Sequence, residues 1–83
     1  MPRIPRDISG KKLVQLLKRY DYQSVRQVAS HIRLVSTIKG MEHKITIPDH
    51  KSLRIGILNG ILGDVGNYLQ MSKEQLAEEL FGR

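Results

Sequence analysis

The 83-residue chain contains no cysteine, which excludes a disulfide scaffold, a thiolate zinc site and a cysteine nucleophile. No apolar run approaches the ~20 residues that a membrane-spanning helix needs. The first nine residues also lack the apolar stretch of a signal peptide. A cysteine-free chain fits a reducing compartment, so we expect a cytoplasmic protein that does not associate with a membrane.

Motifs for metal or cofactor chemistry are also missing. The three histidines, at positions 31, 43 and 50, do not form the i, i+2 or i, i+4 pairs that chelate a metal on one element. The eight carboxylates are scattered, and no Walker loop or Gly-x-Gly-x-x-Gly sequence is present. We therefore predict that the protein has neither a metal site nor a cofactor.

Length and charge narrow the class of protein. The chain is long enough for one core, so we expect an extended N-terminal arm over residues 1–8 and one domain over 9–83. Residues 1–54 contain 12 basic and 4 acidic side chains, a net charge of +8, whereas residues 55–83 have a net charge of −2. This asymmetry favours a polyanion or an acidic partner, although a merely solvated basic surface has the same composition.

The hydrophobic pattern predicts a helix, three strands and two further helices. Ser9 is a suitable N-cap for a first helix that ends near Tyr20, and its apolar stripe comprises Leu13, Leu16, Leu17 and Tyr20. Residues 22–28 form a weak strand. In residues 31–38, Ile32, Leu34 and Ile38 are predicted to face one side and His31, Arg33, Val35 and Thr37 the other. A turn around Gly40 leads to a strand over 43–47, which Pro48 ends.

The C-terminal third returns to helical periodicity. Leu58, Ile61, Leu62 and Val65 are predicted to pack on the sheet, and Gly66 suits the left-handed position that ends a helix. A capping box between Ser72 and Gln75 begins the short last helix. The chain is thus predicted to be an α+β sandwich, with helices on one face of an antiparallel sheet.

His31 is the one histidine that the pattern singles out. It is predicted to lie on the solvent-exposed face of its strand, opposite Ile32 and beside Arg33. An imidazole among cations can move a proton during phosphodiester cleavage while the cations stabilise the negative charge. An ordinary exposed histidine would have the same pattern. His43 is interpreted as a strand-end residue. His50 is interpreted as a loop residue that either reaches a phosphate or simply fixes the loop.

Four segments, in this order and spacing, resemble the HicA toxins of type II toxin–antitoxin systems, also called YcfA-like. The first segment, Ser-Gly-Lys-Lys-Leu-Val-Gln-Leu-Leu at 9–17, is similar to the opening helix of the family. Arg-Gln-Val-Ala-Ser-His at 26–31 is similar to its Arg-x-x-Gly-Ser-His segment. Residues 44–50 resemble its strand that ends Val-Pro-x-His, and residues 53–62 resemble its Gly-Thr-Leu-x-x-Ile helix. The resemblance covers about residues 9–76.

The resemblance implies a double-stranded-RNA-binding-like sandwich, which agrees with the independent reading of the pattern. It also implies an mRNA interferase, a metal-independent endoribonuclease whose functional histidine corresponds to His31, and a HicB antitoxin that covers this histidine. Three positions depart from the family pattern. Ala29 replaces the glycine before Ser-His, Asp21 replaces a glycine, and Ile57 replaces a threonine.

These observations lead to one main hypothesis and two alternatives. The first is a toxin that cleaves mRNA with His31 as the catalytic residue. The second is a non-catalytic RNA-binding module of the same fold, and the third is a protein whose basic face only binds an acidic partner. For the first two hypotheses, the expected RNA-binding residues are Lys11, Lys12, Arg26, Ser30, Arg33, Lys44, His50, Lys51 and Arg54.

Overall fold

The computed structural model describes residue 4 and residues 7–82. Its elements are α1 (Gly10–Leu17), a 3-10 turn (Lys18–Tyr20), β1 (Gln23–Val28), β2 (His31–Ser36), β3 (His43–Pro48), α2 (Ile55–Leu69) and α3 (Lys73–Phe81). The predicted α+β order is confirmed. The arm predicted over residues 1–8 lies mostly outside the described residues. Within it, Ile8 is buried, and its carbonyl accepts a hydrogen bond from the Leu53 amide at 2.8 Å.

The strands form one antiparallel sheet in the order β1-β2-β3, and the helices cover only one of its faces. On this inner face Ile32, Leu34, Ile45 and Ile47 are buried, as the alternating pattern predicts. The helices contribute buried side chains to the same core, among them Leu13, Leu17, Leu58, Ile61, Leu62, Val65, Leu76 and Leu80. The alternate side chains of β2 and β3 therefore form an outer face that no element within residues 7–82 covers.

The start of α1 is fixed by a cap and by a close backbone contact. The Ser9 hydroxyl accepts a hydrogen bond from the Lys12 amide at 3.0 Å, which confirms the predicted N-cap. The Gly10 amide donates to the His50 carbonyl at 2.9 Å. A Cβ on Gly10 would lie 2.0 Å from the Pro48 carbonyl oxygen, so only glycine permits this approach between α1 and the end of β3.

Two predictions about where elements end are wrong. Gly66 does not end α2, because the helix continues to Leu69 and its left-handed cap is Gln70, with φ 62°. Gly66 is instead a close-approach residue, since an added Cβ would lie 2.8 Å from the Met71 carbonyl oxygen. Ile38 does not belong to the inner face, because β2 ends at Ser36 and Ile38 is 47% exposed.

Ser36 explains the early end of β2. Its buried hydroxyl donates to the Tyr20 carbonyl at 2.7 Å and accepts from the Ile38 amide at 3.2 Å. This hydroxyl satisfies a backbone group that a longer ladder would otherwise satisfy, and the chain turns there. In the following turn Gly40 has φ 87°, as expected for a glycine turn position. Among the described residues, no helix is long and apolar enough to cross a membrane.

The hairpin between β1 and β2 contains a backbone strain. Every residue of β1 is exposed, and the pairing with β2 is interrupted by a bulge between Ser24 and Arg26. Ala29 and Ser30 form the two-residue turn, in which Ala29 has φ 53°. A positive φ at the first turn position is typical of a type II′ turn, where glycine is the usual residue. Asp21 also has a positive φ, of 66°. It is the other position at which the family that this chain resembles has glycine.

Replacing Gly10 with alanine tests the contact between α1 and β3. We expect Gly10→Ala to reduce the free energy of unfolding by ~1–3 kcal/mol, because the new methyl group overlaps the Pro48 carbonyl. Gly63→Ala is the matched control. It adds a methyl group in open space on α2 and should stabilise the fold by up to ~1 kcal/mol. Urea denaturation measures both, and equal effects would contradict the role of this contact.

The strain at Ala29 predicts a stabilising change to glycine. We expect Ala29→Gly to raise the free energy of unfolding by up to ~1 kcal/mol, because glycine adopts a positive φ without a Cβ clash. Ala77→Gly in α3 should lower it by about 1 kcal/mol, since the residue there is helical. A loss of stability in Ala29→Gly would show that the turn is not strained.

Candidate functional site

The outer face of the sheet places the predicted site residues in regular rows. Cross-strand pairing aligns Val28, His31 and Pro48 in the first row, and Arg26, Arg33 and Thr46 in the second. Gln23, Val35 and Lys44 form the third row. Because directly paired residues point to the same side of a sheet, His31, both arginines and Lys44 share one face. His31, Arg26, Arg33 and Lys44 are all exposed.

Arg26 and Arg33 are directly opposite each other in this ladder. Like charges at opposed positions destabilise a sheet. The ion pairs within the described residues join His43 to Asp64 and Lys44 to Glu42, so neither arginine has a carboxylate partner there. Two uncompensated guanidinium groups beside an exposed imidazole form a site that favours an anionic ligand.

A shallow depression surrounds His31. It is lined by Arg26, Val28, Ala29, His31, Arg33 and Thr46 and has a volume of about 490 Å³. The strained Ala29 turn forms one wall. The Ser30 carbonyl accepts from the Asp49 amide at 2.7 Å, which joins this turn to the segment after β3. The depression therefore lies between two backbone segments that are held together, with the imidazole open to solvent.

The remaining predicted residues do not all lie on the outer face. Ser30 is in the turn before His31, and His50 follows Asp49 in the segment joined to that turn. Lys12 and Lys51 line a different groove, on the helical side, together with Leu16, Leu80 and Phe81. Lys11 and Arg54 are exposed at the starts of α1 and α2. His31 pairs directly with Val28 and Pro48, and the predicted residues in the next row of the same face are Arg26 and Arg33.

A second cluster of polar side chains centres on His43. The His43 ring stacks on Tyr68, with centroids 4.6 Å apart and planes 11° apart. Its Nδ1 is 2.6 Å from the Tyr22 hydroxyl, and its Nε2 is 3.4 Å from Asp64 Oδ1. The interpretation of His43 as a simple strand-end residue misses this cluster. Its members come from three distant parts of the chain, so local spacing alone does not reveal it.

Burial of Tyr22 favours its hydroxyl as a hydrogen-bond donor in this cluster. The side chain is fully buried, and this burial raises the pKa of its hydroxyl well above the usual tyrosine range. Within residues 7–82 the hydroxyl has no other hydrogen-bond partner, so it donates to Nδ1 of His43. The other ring nitrogen, Nε2, faces Asp64 Oδ1.

Tyr68 extends the cluster to the turn between β2 and β3. Its hydroxyl lies within hydrogen-bond distance of the Met41 carbonyl, and it accepts from the Lys39 amide at 3.1 Å. The cluster therefore holds α2, the turn and the first residue of β3 together. Among the described residues, no three histidine, aspartate or glutamate side chains come close enough to hold a metal ion.

Because the two opposed arginines repel each other, replacing one of them should stabilise the fold. We expect Arg26→Thr to stabilise the fold by ~0.2–1 kcal/mol, because it removes a like-charge pair and introduces a β-branched residue. Gln23→Thr, on the same strand and face, controls for strand propensity alone. Thermal unfolding in low salt and in 1 M NaCl should show the extra gain of Arg26→Thr shrinking with salt. A salt-independent difference would contradict electrostatic repulsion.

Comparison with known proteins shows the family to which the chain belongs. The family described as HicA toxin of bacterial toxin-antitoxin systems matches residues 10–66, which include α1, the whole sheet and most of α2. Searches of curated proteins and of solved structures gave no significant match. The matched region contains the hairpin with His31 and the outer face described above. The chain therefore belongs to the HicA toxin family of bacterial toxin–antitoxin systems.

Proposed function

We propose that this toxin is a metal-independent endoribonuclease that cleaves mRNA on the outer face of its sheet, with His31 as the catalytic residue. The observation that carries the proposal is the exposed imidazole next to two opposed arginines that lack carboxylate partners within residues 7–82. A phosphodiester supplies the missing negative charge between these arginines. RNA also supplies the 2′-hydroxyl group that serves as its own nucleophile.

The chemistry requires one proton transfer at each end of the reacting phosphate. The 2′-oxygen attacks phosphorus as its proton leaves, and the bond to the 5′-oxygen breaks as that oxygen gains a proton. His31 takes the first proton or provides the second, and the products are a 2′,3′-cyclic phosphate and a 5′-hydroxyl. Arg33 and Lys44 stabilise the charge that develops on the phosphoryl oxygens. A single acid–base group is worth ~10²–10⁴-fold, so the rate should be modest.

The other proposed contacts extend the RNA path beyond the reacting phosphate. Arg26 and Ser30 lie on the hairpin that carries His31, and His50 lies in the adjoining segment. Lys11 is in the first turn of α1, and Arg54 is the N-cap residue of α2. Lys12 and Lys51 bind RNA only if it passes round to the helical side. Contacts of this kind give affinity without base selection and weaken as salt concentration rises.

A toxin of this class has an antitoxin partner. We propose that the partner is a HicB-like protein that covers His31, and that both act in the cytoplasm without a membrane. A partner that neutralises the outer face should present acidic groups to Arg33 and Lys44, and its association should slow as salt rises. The alternative function is an RNA-binding module of the same fold that does not cleave.

Substitution of His31 separates cleavage from binding. We expect His31→Ala to abolish cleavage of RNA while retaining its affinity, because most of the affinity comes from contacts of lysine and arginine with phosphate. The free energy of unfolding should change by less than ~0.5 kcal/mol, since the side chain is exposed. Cleavage is measured by gel electrophoresis of a labelled RNA with EDTA present, and affinity by fluorescence anisotropy.

Arg33→Ala is the companion variant, and it should weaken binding and cleavage together. Unchanged cleavage in His31→Ala would show that another group transfers the proton. Binding without cleavage by the unsubstituted protein would favour the RNA-binding module, and Ala29→Gly would then test whether the strained turn misplaces His31. Salt-insensitive binding, or none, would favour the third hypothesis, in which the basic face binds only an acidic protein.

A further inference from the structure

A second depression lies along the free edge of β3, and we call it the edge cleft. Its walls are Arg33, Lys44, Ile45 and Thr46 from the sheet and Gly56, Ile57, Gly60, Ile61 and Asp64 from α2. Its volume is about 380 Å³. Arg33 and Thr46 line both this cleft and the depression around His31. A strand of RNA held at His31 can therefore continue directly into the edge cleft.

The shape of the edge cleft suits a flat, partly apolar group. A Cβ added to Gly56 or Gly60 would meet no atom within 4 Å, so this side of α2 is bare backbone. Ile57 is 36% exposed beside these glycines. A nucleobase has an apolar face and a polar edge, and single-stranded RNA presents both to a protein.

Asp64 is the one acidic side chain in the wall of the edge cleft, and it is held in place from inside the fold. Its carboxylate contacts Nε2 of His43, whose Nδ1 is bonded to the buried Tyr22 hydroxyl. Stacking on Tyr68 fixes the plane of the same imidazole. Groups that act in recognition are commonly held by such a supporting layer of hydrogen bonds.

The charges that line the edge cleft indicate which kind of ligand the Asp64 carboxylate would bind. Asp64 forms no ion pair with Arg33 or Lys44 in the structure, although all three line the same cleft. Asp64 is 59% exposed, so oxygen lone pairs remain free for a ligand. A carboxylate repels RNA phosphates but accepts hydrogen bonds from nucleobases. A carboxylate at this position therefore favours a ligand group that donates hydrogen bonds, as the edge of a nucleobase does.

The contact with His43 places Asp64 further along β3 than His31. His31 pairs with Pro48, whereas His43 lies five residues earlier on β3, at about 3.3 Å per residue, or roughly 16 Å along the strand. The base that reaches Asp64 therefore belongs to a nucleotide near the reacting one. Guanine alone among the four RNA bases offers two adjacent donors, N1–H and N2–H, that match the two oxygens of a carboxylate.

We propose that Asp64 determines substrate specificity by binding the Watson–Crick edge of a guanine in the edge cleft, with His43 as its positioning residue. This inference rests on the proposed function, because it requires RNA on the outer face. Arg33 and Lys44, which the proposed function places on the reacting phosphate, also line this cleft, and Gly56 and Gly60 leave room for the base.

Binding of matched RNAs by the His31→Ala protein tests the proposal without interference from cleavage. The probes are two uridine decamers, one with a single central guanosine and one with inosine, which lacks only the N2 amino group. We expect about tenfold tighter binding of the guanosine probe, which is typical of a bidentate contact. In His31→Ala with Asp64→Asn, the two affinities should agree within twofold. Glu74→Gln, an exposed carboxylate on α3, is the matched control and should keep the preference.

Two further variants test the positioning of Asp64 by His43 and the room that Gly60 leaves for the base. His43→Phe retains a ring for stacking on Tyr68 but loses the contact with Asp64, so the guanosine preference should fall even where the fold is retained. Gly60→Leu fills the edge cleft and should weaken binding of the guanosine probe, whereas Gly63→Leu, one turn away on the same helix and outside the lining, should not. Thermal unfolding is measured for each variant to check that the fold is retained.

The outcomes distinguish this inference from the proposed function. If the His31→Ala protein, which retains Asp64, binds the guanosine and inosine probes equally, Asp64 does not recognise the base. Loss of cleavage in His31→Ala would still support the nuclease in that case. A guanosine preference that depends on Asp64 would support base recognition even if the unsubstituted protein does not cleave. Failure to bind either RNA would contradict both proposals.

Discussion

One-sided burial of the three-stranded sheet is the constraint on which the rest of the molecule depends. The helices cover only the face that carries Ile32, Leu34, Ile45 and Ile47, so every alternate residue on β2 and β3 must face solvent. A domain of this size gains most of its stability from that single apolar layer. The opposite face is free to carry charge at little cost to the core, and it carries His31, Arg26, Arg33 and Lys44.

The site tolerates local strain and repulsion that the core offsets. The opposed arginines and the left-handed Ala29 both reduce stability, and both lie next to His31. Strained backbone and repelling charges are common where a protein binds a ligand, because the bound ligand offsets their free-energy cost. The His43 cluster has the opposite character. Tyr22 is buried and His43 and Tyr68 are half-buried. Hydrogen bonds and stacking join them, and they anchor α2 and the turn before β3.

The sequence was sufficient for the parts of this fold that follow from local periodicity. Alternation along β2 and β3 predicted the buried face, and the cap at Ser9 and the capping box at Ser72 predicted two helix starts correctly. It failed where one specific contact, and not the hydrophobic period, decides the outcome. Gly66 resembles a helix end, but it is a close-approach site against Met71. Ile38 continues the apolar alternation, but the Ser36 hydroxyl ends the strand.

The candidate site shows the same division. The exposure of His31 and Arg33 follows from the two-residue period, whereas the opposition of Arg26 and Arg33 depends on a register that includes a bulge. The cluster of Tyr22, His43 and Asp64 could not be predicted, because its residues are about 20 positions apart and meet only after the helix packs on the sheet. Resemblance to a family identifies one histidine but not the polar contacts around another.

The irregular first strand also has a consequence for how the toxin behaves when it is made in excess. β1 is an outermost strand whose residues are all exposed, and Val25 and Val28 are 61% and 49% exposed. A regular strand of this kind is a template on which further chains add, edge to edge, into aggregates. The bulge between Ser24 and Arg26 breaks the regular spacing of its hydrogen-bonding groups, and the arginine repels an identical strand. The arginine that opposes Arg33 within the sheet should therefore also oppose edge-to-edge pairing of separate copies at β1.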